Sequence, residues 1–150
     1  LYPPYGARGC GPKGAVSYGI ESEKEYYGEG HLKMCRFVQI EKKSAADDAE
    51  NIAALPYLDG CILGMHDLSG SIGRLGDIFC EDNLKLANKA ISAFKAQNKT
   101  VGVSTFATDA ETLMRYKNMG INMISTGADY DYVIRGAKST LNTMKTEVQF

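Results

Sequence analysis

The 150-residue chain has no tryptophan, two histidines, four prolines and no excess of either charge: 17 Lys and Arg against 18 Asp and Glu leave a formal net charge of −1. Without Lys and Arg clustered on one face there is no electrostatic footprint for nucleic acid, and no such partner is expected. No apolar run approaches the roughly 20 residues that span a bilayer, and the amino end lacks the charged-then-apolar order of a signal peptide. No membrane association is expected, and the location reads as cytoplasmic. Cysteine is sparse: Cys10, Cys35, Cys61 and Cys80 are widely separated without a C-x-x-C pair, which argues against a zinc site or disulfide and for reduced thiols. Cys35 and Cys61 fall in expected buried strands, where cysteine acts as a small apolar residue. Nucleotide signatures are missing too. Gly14 is followed by Ala15-Val16, where a P-loop needs Lys then Ser or Thr, and no G-x-G-x-x-G joins a strand to a helix.

What remains is an ordinary globular composition, 44% hydrophobic and 23% charged, long enough for one sizeable core. Residues 1–30 hold many glycines and the Pro3-Pro4 pair, so they read as a loop-rich lead with at most a short helix at Ala15–Tyr18. Residues 31–150 read as one domain. The chain opens at Leu1, directly on Tyr2-Pro3-Pro4, which looks like the middle of a connection, and a fragment is expected. Arg8 reads as a structural residue tying the lead down, with anion binding as the alternative. His31 reads as a surface residue.

From Cys35 the pattern becomes regular. A strand over 35–41 leads to a helix opening at Ser44 and stopped by Pro56, then to a strand over 60–65. The glycine-rich run Leu68–Gly76 is long for a strand-to-helix loop and is a candidate lid or site wall, with Arg74 either closing over an acidic substrate or simply solvated. Leu84, Ala87, Ile91 and Phe94 recur at helical spacing and predict a helix over 81–97. Thr100–Thr105 is a β-branched strand. Thr108-x-x-Glu111 has the form of a capping box for a helix over 109–118, ended at Gly120. A fourth strand over 123–126 precedes an amphipathic helix over 130–145. This β-α order demands parallel strands with right-handed crossovers, as in a small three-layer domain or the later half of a TIM barrel.

Two acids occupy matching places in that pattern. Glu41 closes the first strand and Asp67 follows the second, about one strand-helix-strand unit away, where such folds gather their chemistry. Magnesium or manganese takes octahedral oxygen coordination from one or two carboxylates and leaves the other positions to water or substrate. The alternative is that each acid merely caps the following helix. Gln39 shares a strand face with Glu41, which in a barrel is the interior. It either orients Glu41 or a substrate oxygen, or satisfies itself in an internal hydrogen bond. His66, beside Asp67, is a candidate base or donor, or an ordinary loop residue.

Tyr2-Pro3-Pro4-Tyr5-Gly6-Ala7-Arg8-Gly9, then Val38-Gln39-Ile40-Glu41, then Asp59-Gly60 with Gly64-Met65-His66-Asp67-Leu68-Ser69, and Gly127-Ala128-Asp129 resemble, in order and spacing, the HpcH/HpaI aldolase and citrate lyase family, most of all its 2-keto-3-deoxy acid aldolase branch (4-hydroxy-2-oxoheptane-1,7-dioate aldolase-like). The resemblance implies an α/β fold, the carboxy-terminal part of a phosphoenolpyruvate/pyruvate-type TIM (β/α)8 barrel with about four β-α units. It implies metal-dependent cleavage of a 2-keto-3-deoxy or 4-hydroxy-2-oxo acid to pyruvate and an aldehyde, with Mg, Mn or Co as cofactor. Glu41 and Asp67 match the metal ligands, Gln39 a catalytic-site glutamine, and Gly64, Met65, His66 and Asp67 the segment that receives the pyruvate carboxylate. Met65-His66 stands where many relatives have Pro-Ala, so the pocket's shape and polarity differ. The family's histidine base and substrate arginine have no counterpart here and are expected upstream of residue 1, leaving the isolated chain weakly active or inactive. The resemblance also implies a homo-oligomer that exchanges its last helix between subunits. A citrate lyase or malyl-CoA lyase type of carbon-carbon lyase, and a non-catalytic metal-binding or oligomerising α/β fragment, are the alternatives.

Overall fold

The computed structural model describes residues 2–4, 6–30 and 33–148 and falls into two units, Leu1–Arg36 and Phe37–Phe150. His31 lies outside the described residues. The first unit holds a 3-10 helix, Lys13–Gly19, and a short α-helix, α1, Glu23–Gly28. The sequence pattern anticipates at most a short helix at Ala15–Tyr18, within the 3-10 helix, but not α1, which has no apolar stripe. It forms locally, with the Ser22 side chain accepting from the Glu25 N–H at 3.3 Å and Glu23 and Glu25 in the first turn, where acids complement the helix dipole. The Arg8 guanidinium lies 5.0 Å from the Tyr2 ring centre, and Tyr2 meets Tyr27 edge-on at 4.8 Å. Arg8 is thus a packing residue of the lead.

The second unit is built on four strands, β1 Phe37–Ile40, β2 Gly60–Leu63, β3 Thr100–Thr105 and β4 Met123–Thr126, all parallel and in the spatial order β1-β2-β3-β4. The helices are α2 Lys43–Asp47, α3 Ala49–Ala53, α4 Met65–Gly70, α5 Glu81–Ala96, α6 Ala110–Met119 and α7 Asp129–Thr143. This is the four-unit α/β arrangement expected from the alternating pattern. Three details differ. The helix after β1 is broken at Asp48, whose φ −97° and ψ 13° leave the helical region. β2 stops at Leu63, and the glycine-rich run begins as a helical turn, α4, before Gly73 and Gly76 reverse the chain at φ +73° and +87°. Asp109, not Thr108, caps α6, its carboxylate accepting from the Thr112 N–H at 2.8 Å.

Period two along each strand divides the sheet into unlike faces. Ile40, Cys61, Leu63, Val101 and Val103 are buried and join Ala46, Ala49, Ala53, Ala87, Ala90, Phe94 and Tyr116 in one core. Alanines at the buried positions of α2, α3 and α5 let these helices pack closely on one another, and Lys89 Nζ bonds the Asp47 carbonyl at 2.7 Å across that contact. The other face carries Gln39, Ile62, Gly102 and Met123 in register, none of them in the core cluster. Met123 lies over Gly102, where an added Cβ would stand 2.4 Å from its Cε. Cys61 is buried as expected, but Cys35 is exposed because β1 begins only at Phe37. All four cysteines are free. Among the described residues no helix is long and apolar enough to cross a membrane.

α7 has no buried residue. It is tied near its start, where the Tyr132 hydroxyl donates to the Thr126 carbonyl at 2.6 Å and Arg135 Nη2 donates to the Phe106 carbonyl at 2.5 Å.

Candidate functional site

The β1–β2 register pairs Ile40 with Leu63, so the next residues, Glu41 and Gly64, stand side by side at the carboxyl ends of neighbouring strands. The Gly64 N–H donates to the Ile40 carbonyl at 3.0 Å and extends the ladder by one rung. A Cβ on Gly64 would fall 2.9 Å from Glu41 Cβ, 3.1 Å from Gln39 Nε2 and 3.5 Å from Glu41 Oε2. Gly64 therefore leaves the space in which the Glu41 and Gln39 side chains lie together. Gln39 is exposed, not buried as a barrel-interior position predicts, because the residues in register with it, Ile62, Gly102 and Met123, lie outside the core cluster.

Asp67 lies in the turn that follows, the third residue of α4. Gly64 is the N-cap of α4 and supplies no side-chain cap, so the amides of Met65, His66 and Asp67 have no partner within the helix. They form a short row of donors beginning beside Glu41. The Met65 side chain points the other way and is only 2% exposed within the core, whereas His66 and Asp67 are exposed. Exposure of His66 and burial of Met65 give the two residues opposite roles, one facing solvent at the turn and one anchoring it. Arg74 is exposed, and its main-chain N–H donates to the Ser69 carbonyl at 2.8 Å.

Two polar residues hold this turn and were not legible as site residues. Ser71 Oγ accepts from the Lys43 N–H at 2.9 Å while donating to the Leu68 carbonyl at 2.7 Å, linking the start of α2, just past Glu41, to the end of α4. Asn83 is fully buried, and its Nδ2 donates to the carbonyls of Met65 at 3.1 Å and Ile78 at 2.8 Å. The available signal for Asn83 was a polar residue on the apolar stripe of α5, four positions before Ala87. Ser71 carries no such mark.

Among the described residues neither Glu41 nor Asp67 is ion-paired, and no group of three or more His, Cys, Asp or Glu converges at one point. Two carboxylates without an ion pair among the described residues, with Gly64 leaving room beside Glu41 and the Gln39 amide, fit a hard divalent cation, which takes oxygen ligands and keeps waters or substrate oxygens in the other positions. Surface concavities of about 650 Å³ lie elsewhere: one, lined by Leu113, Met114, Ile121 and Ile124 among others, runs between α6 and β4.

The HpcH/HpaI aldolase/citrate lyase family model matches residues 2–136. The chain belongs to this family. A hydroxypyruvate/pyruvate aldolase from Roseovarius nubinhibens is 28% identical over 146 residues, 97% of this chain and 56% of that protein. A 4-hydroxy-2-oxovalerate aldolase from Novosphingobium aromaticivorans is 29% identical over 147 residues, 98% of this chain and 55% of that protein. The crystal structure of an HpcH/HpaI family protein from Burkholderia cenocepacia superposes with a TM-score of 0.81 at 28% identity, over 95% of this chain and 55% of that one. The chain spans about half the length of the curated relatives it matches.

Proposed function

We propose that the protein is a metal-dependent class II aldolase that cleaves a 2-keto-3-deoxy or 4-hydroxy-2-oxo acid to pyruvate and an aldehyde. The observation that carries this reading is the apposition of Glu41 and Gly64 at neighbouring strand ends, with Asp67 in the turn that Gly64 opens. Family membership and the aldolase names of the relatives support it.

Glu41 and Asp67 would hold a divalent cation such as Mg, Mn or Co. When bound, such a cation supplies a Lewis acid that stabilises the negative charge developing as the carbon-carbon bond breaks. The residues do the positioning. The free amides of Met65, His66 and Asp67 offer hydrogen-bond donors to the substrate carboxylate, as anions are received where helical amides lack partners. Gln39, against Gly64 and Glu41, offers its amide to a substrate oxygen and limits the freedom of the Glu41 side chain. Met65 in the core fixes the height of this turn on the sheet.

We read α7 as the element that joins subunits of a homo-oligomer. Its exposed Val133, Ile134 and Leu141, with Met144 just past its end, form an apolar surface for which the groove between α6 and β4 offers matching side chains, and exchange of α7 between copies would cover both.

The test is retro-aldol cleavage of 4-hydroxy-2-oxo acids and decarboxylation of oxaloacetate, measured with Mg, Mn and Co in the full-length protein and its Glu41→Gln variant. Metal-dependent pyruvate release that the substitution abolishes is expected. Release unchanged by Glu41→Gln overturns the metal role, and a preference for acyl-CoA esters overturns the aldolase assignment in favour of a CoA-ester lyase.

A further inference from the structure

We propose that Asn83 is a positioning residue that clamps the turn carrying Asp67 to the glycine-bearing connection between α4 and α5. The inference rests on the proposed metal site for its functional consequence but not for its structural content. Asn83 lies in the first turn of α5 and has no exposed surface. Its Nδ2 donates to two main-chain carbonyls from different segments, Met65 in the first turn of α4 at 3.1 Å and Ile78 near the end of the connection at 2.8 Å. The amide orientation is fixed by these partners, since the reverse would set Oδ1 against two acceptors.

The opposite end of the side chain is the telling part. Asn83 Oδ1 is buried and has no hydrogen-bond partner among the described residues. A buried acceptor without a partner is unfavourable, and an apolar side chain would occupy the site without one. What the amide supplies, and a valine would not, is the pair of donors. They reach the one helical turn that bears Asp67, two residues beyond Met65, and a connection that reverses at Gly73 and Gly76 with positive φ. The connection's own bonds are local main-chain turns, such as the Gly73 N–H to the Gly70 carbonyl and the Asp77 N–H to the Arg74 carbonyl, whereas Asn83 joins it to the turn at Met65. Ser69, also buried, makes the neighbouring bond, its Oγ donating to the His66 carbonyl at 2.8 Å. Consecutive carbonyls, Met65 and His66, are thereby each held by a buried side chain immediately before Asp67. The clamp sets where the Asp67 carboxylate stands relative to Glu41 on the next strand, as outer partners of a ligand commonly do.

The experiment compares the protein with Asn83→Val, and with Asn83→Ala should the valine variant fold poorly, by two readouts. Amide hydrogen exchange, without added metal, is expected to speed up by tenfold or more at 65–70 and 74–80 while β3 and the later turns of α5 keep their rates. Mn2+ alone, titrated by electron paramagnetic resonance, is expected to bind about 10–100-fold more weakly. Unchanged exchange in both segments overturns the clamp, and so does faster exchange spread evenly over the sheet, which would mark a merely structural asparagine. Faster local exchange with unaltered Mn2+ affinity overturns its role in placing Asp67. If the parent protein binds no Mn2+, the metal reading fails by itself, and the exchange data still decide whether Asn83 holds the turn.

Discussion

Gly64 and Glu41 stand so close at the ends of β2 and β1 that a Cβ on the glycine would lie 2.9 Å from the Cβ of the glutamate. The backbone at Gly64, with φ −86°, accepts any residue, so the requirement for glycine comes from this contact and from Gln39 beside it. Gly64→Ala is therefore a clean probe of the space and not of backbone strain. Overpacking of this kind costs about 1–3 kcal/mol, and displacing a ligand through its neighbour lowers metal affinity by roughly 10–100-fold. Differential unfolding in urea and Mn2+ titration of the alanine variant measure the two effects.

Removing charge at the site should leave the fold intact. Neither Glu41 nor Asp67 is ion-paired among the described residues, so Asp67→Asn is expected to change unfolding free energy by no more than about 0.5 kcal/mol, as for other substitutions away from buried networks. A loss of several kcal/mol in a metal-free urea titration would mean that Asp67 is a structural cap.

Much of this arrangement was readable from residue order, and the exceptions have physical causes. Thr100–Thr105 and Met123–Thr126 form strands over the expected residues because β-branched side chains and flanking Asn and Gly mark them locally. Helix α5 follows its apolar period. The break at Asp48 left no such mark, since Ala45, Ala46, Ala49, Ile52 and Ala53 keep a helical spacing across it. The glycines of Leu68–Gly76 looked like one loop, yet Gly70 ends a helical turn, and only Gly73 and Gly76 adopt positive φ. Glu41 and Asp67 were legible as a pair by their places after successive strands. The approach of Gly64 to Glu41 was not, because it depends on a register, Ile40 opposite Leu63, that spacing alone leaves free by a residue. Ser71 and Asn83 act on main-chain groups, which carry no sequence signature, so the polar place of Asn83 on the apolar stripe of α5 marks the residue but not its partners.

Thiol chemistry should divide the cysteines by burial. Cys61 is fully enclosed, and burial pushes its thiol up to about 12, whereas Cys10 and Cys35 are exposed. Brief alkylation of the native protein followed by peptide mass analysis is expected to modify Cys10 and Cys35 and spare Cys61 until denaturant is added. Labelling of Cys61 at the same rate as Cys35 would contradict the core described above.

Acid should loosen the helices before it disrupts the sheet. The backbone N–H of Thr112 holds the Asp109 carboxyl below its ordinary value, the Lys43 ammonium does the same for Asp47, and Lys85 for Glu81. Because the folded-state values are depressed, the stabilisation is complete above the unfolded carboxylate range, near pH 4, and is lost as pH falls through the lower folded values. Thermal melts from pH 7 to 2 should show the midpoint falling below about pH 4, and Asp109→Ala should both lower the neutral-pH midpoint and flatten the acid decline.

The last helix offers a test of assembly. Leu141 is 51% exposed on α7, so Leu141→Glu should leave the melting temperature of the single chain unaltered and reduce the assembled species in light scattering after size exclusion. An unchanged mass distribution would contradict a role for this face in joining subunits.

The most direct test of the central claim, that Glu41 and Asp67 together seat a divalent cation, is Mn2+ binding followed by electron paramagnetic resonance in the protein, in Glu41→Gln and in Asp67→Asn. The account predicts a single site that either substitution abolishes or weakens by at least about 100-fold, the upper range for disturbing even an outer partner. Equal binding in all three proteins would contradict it.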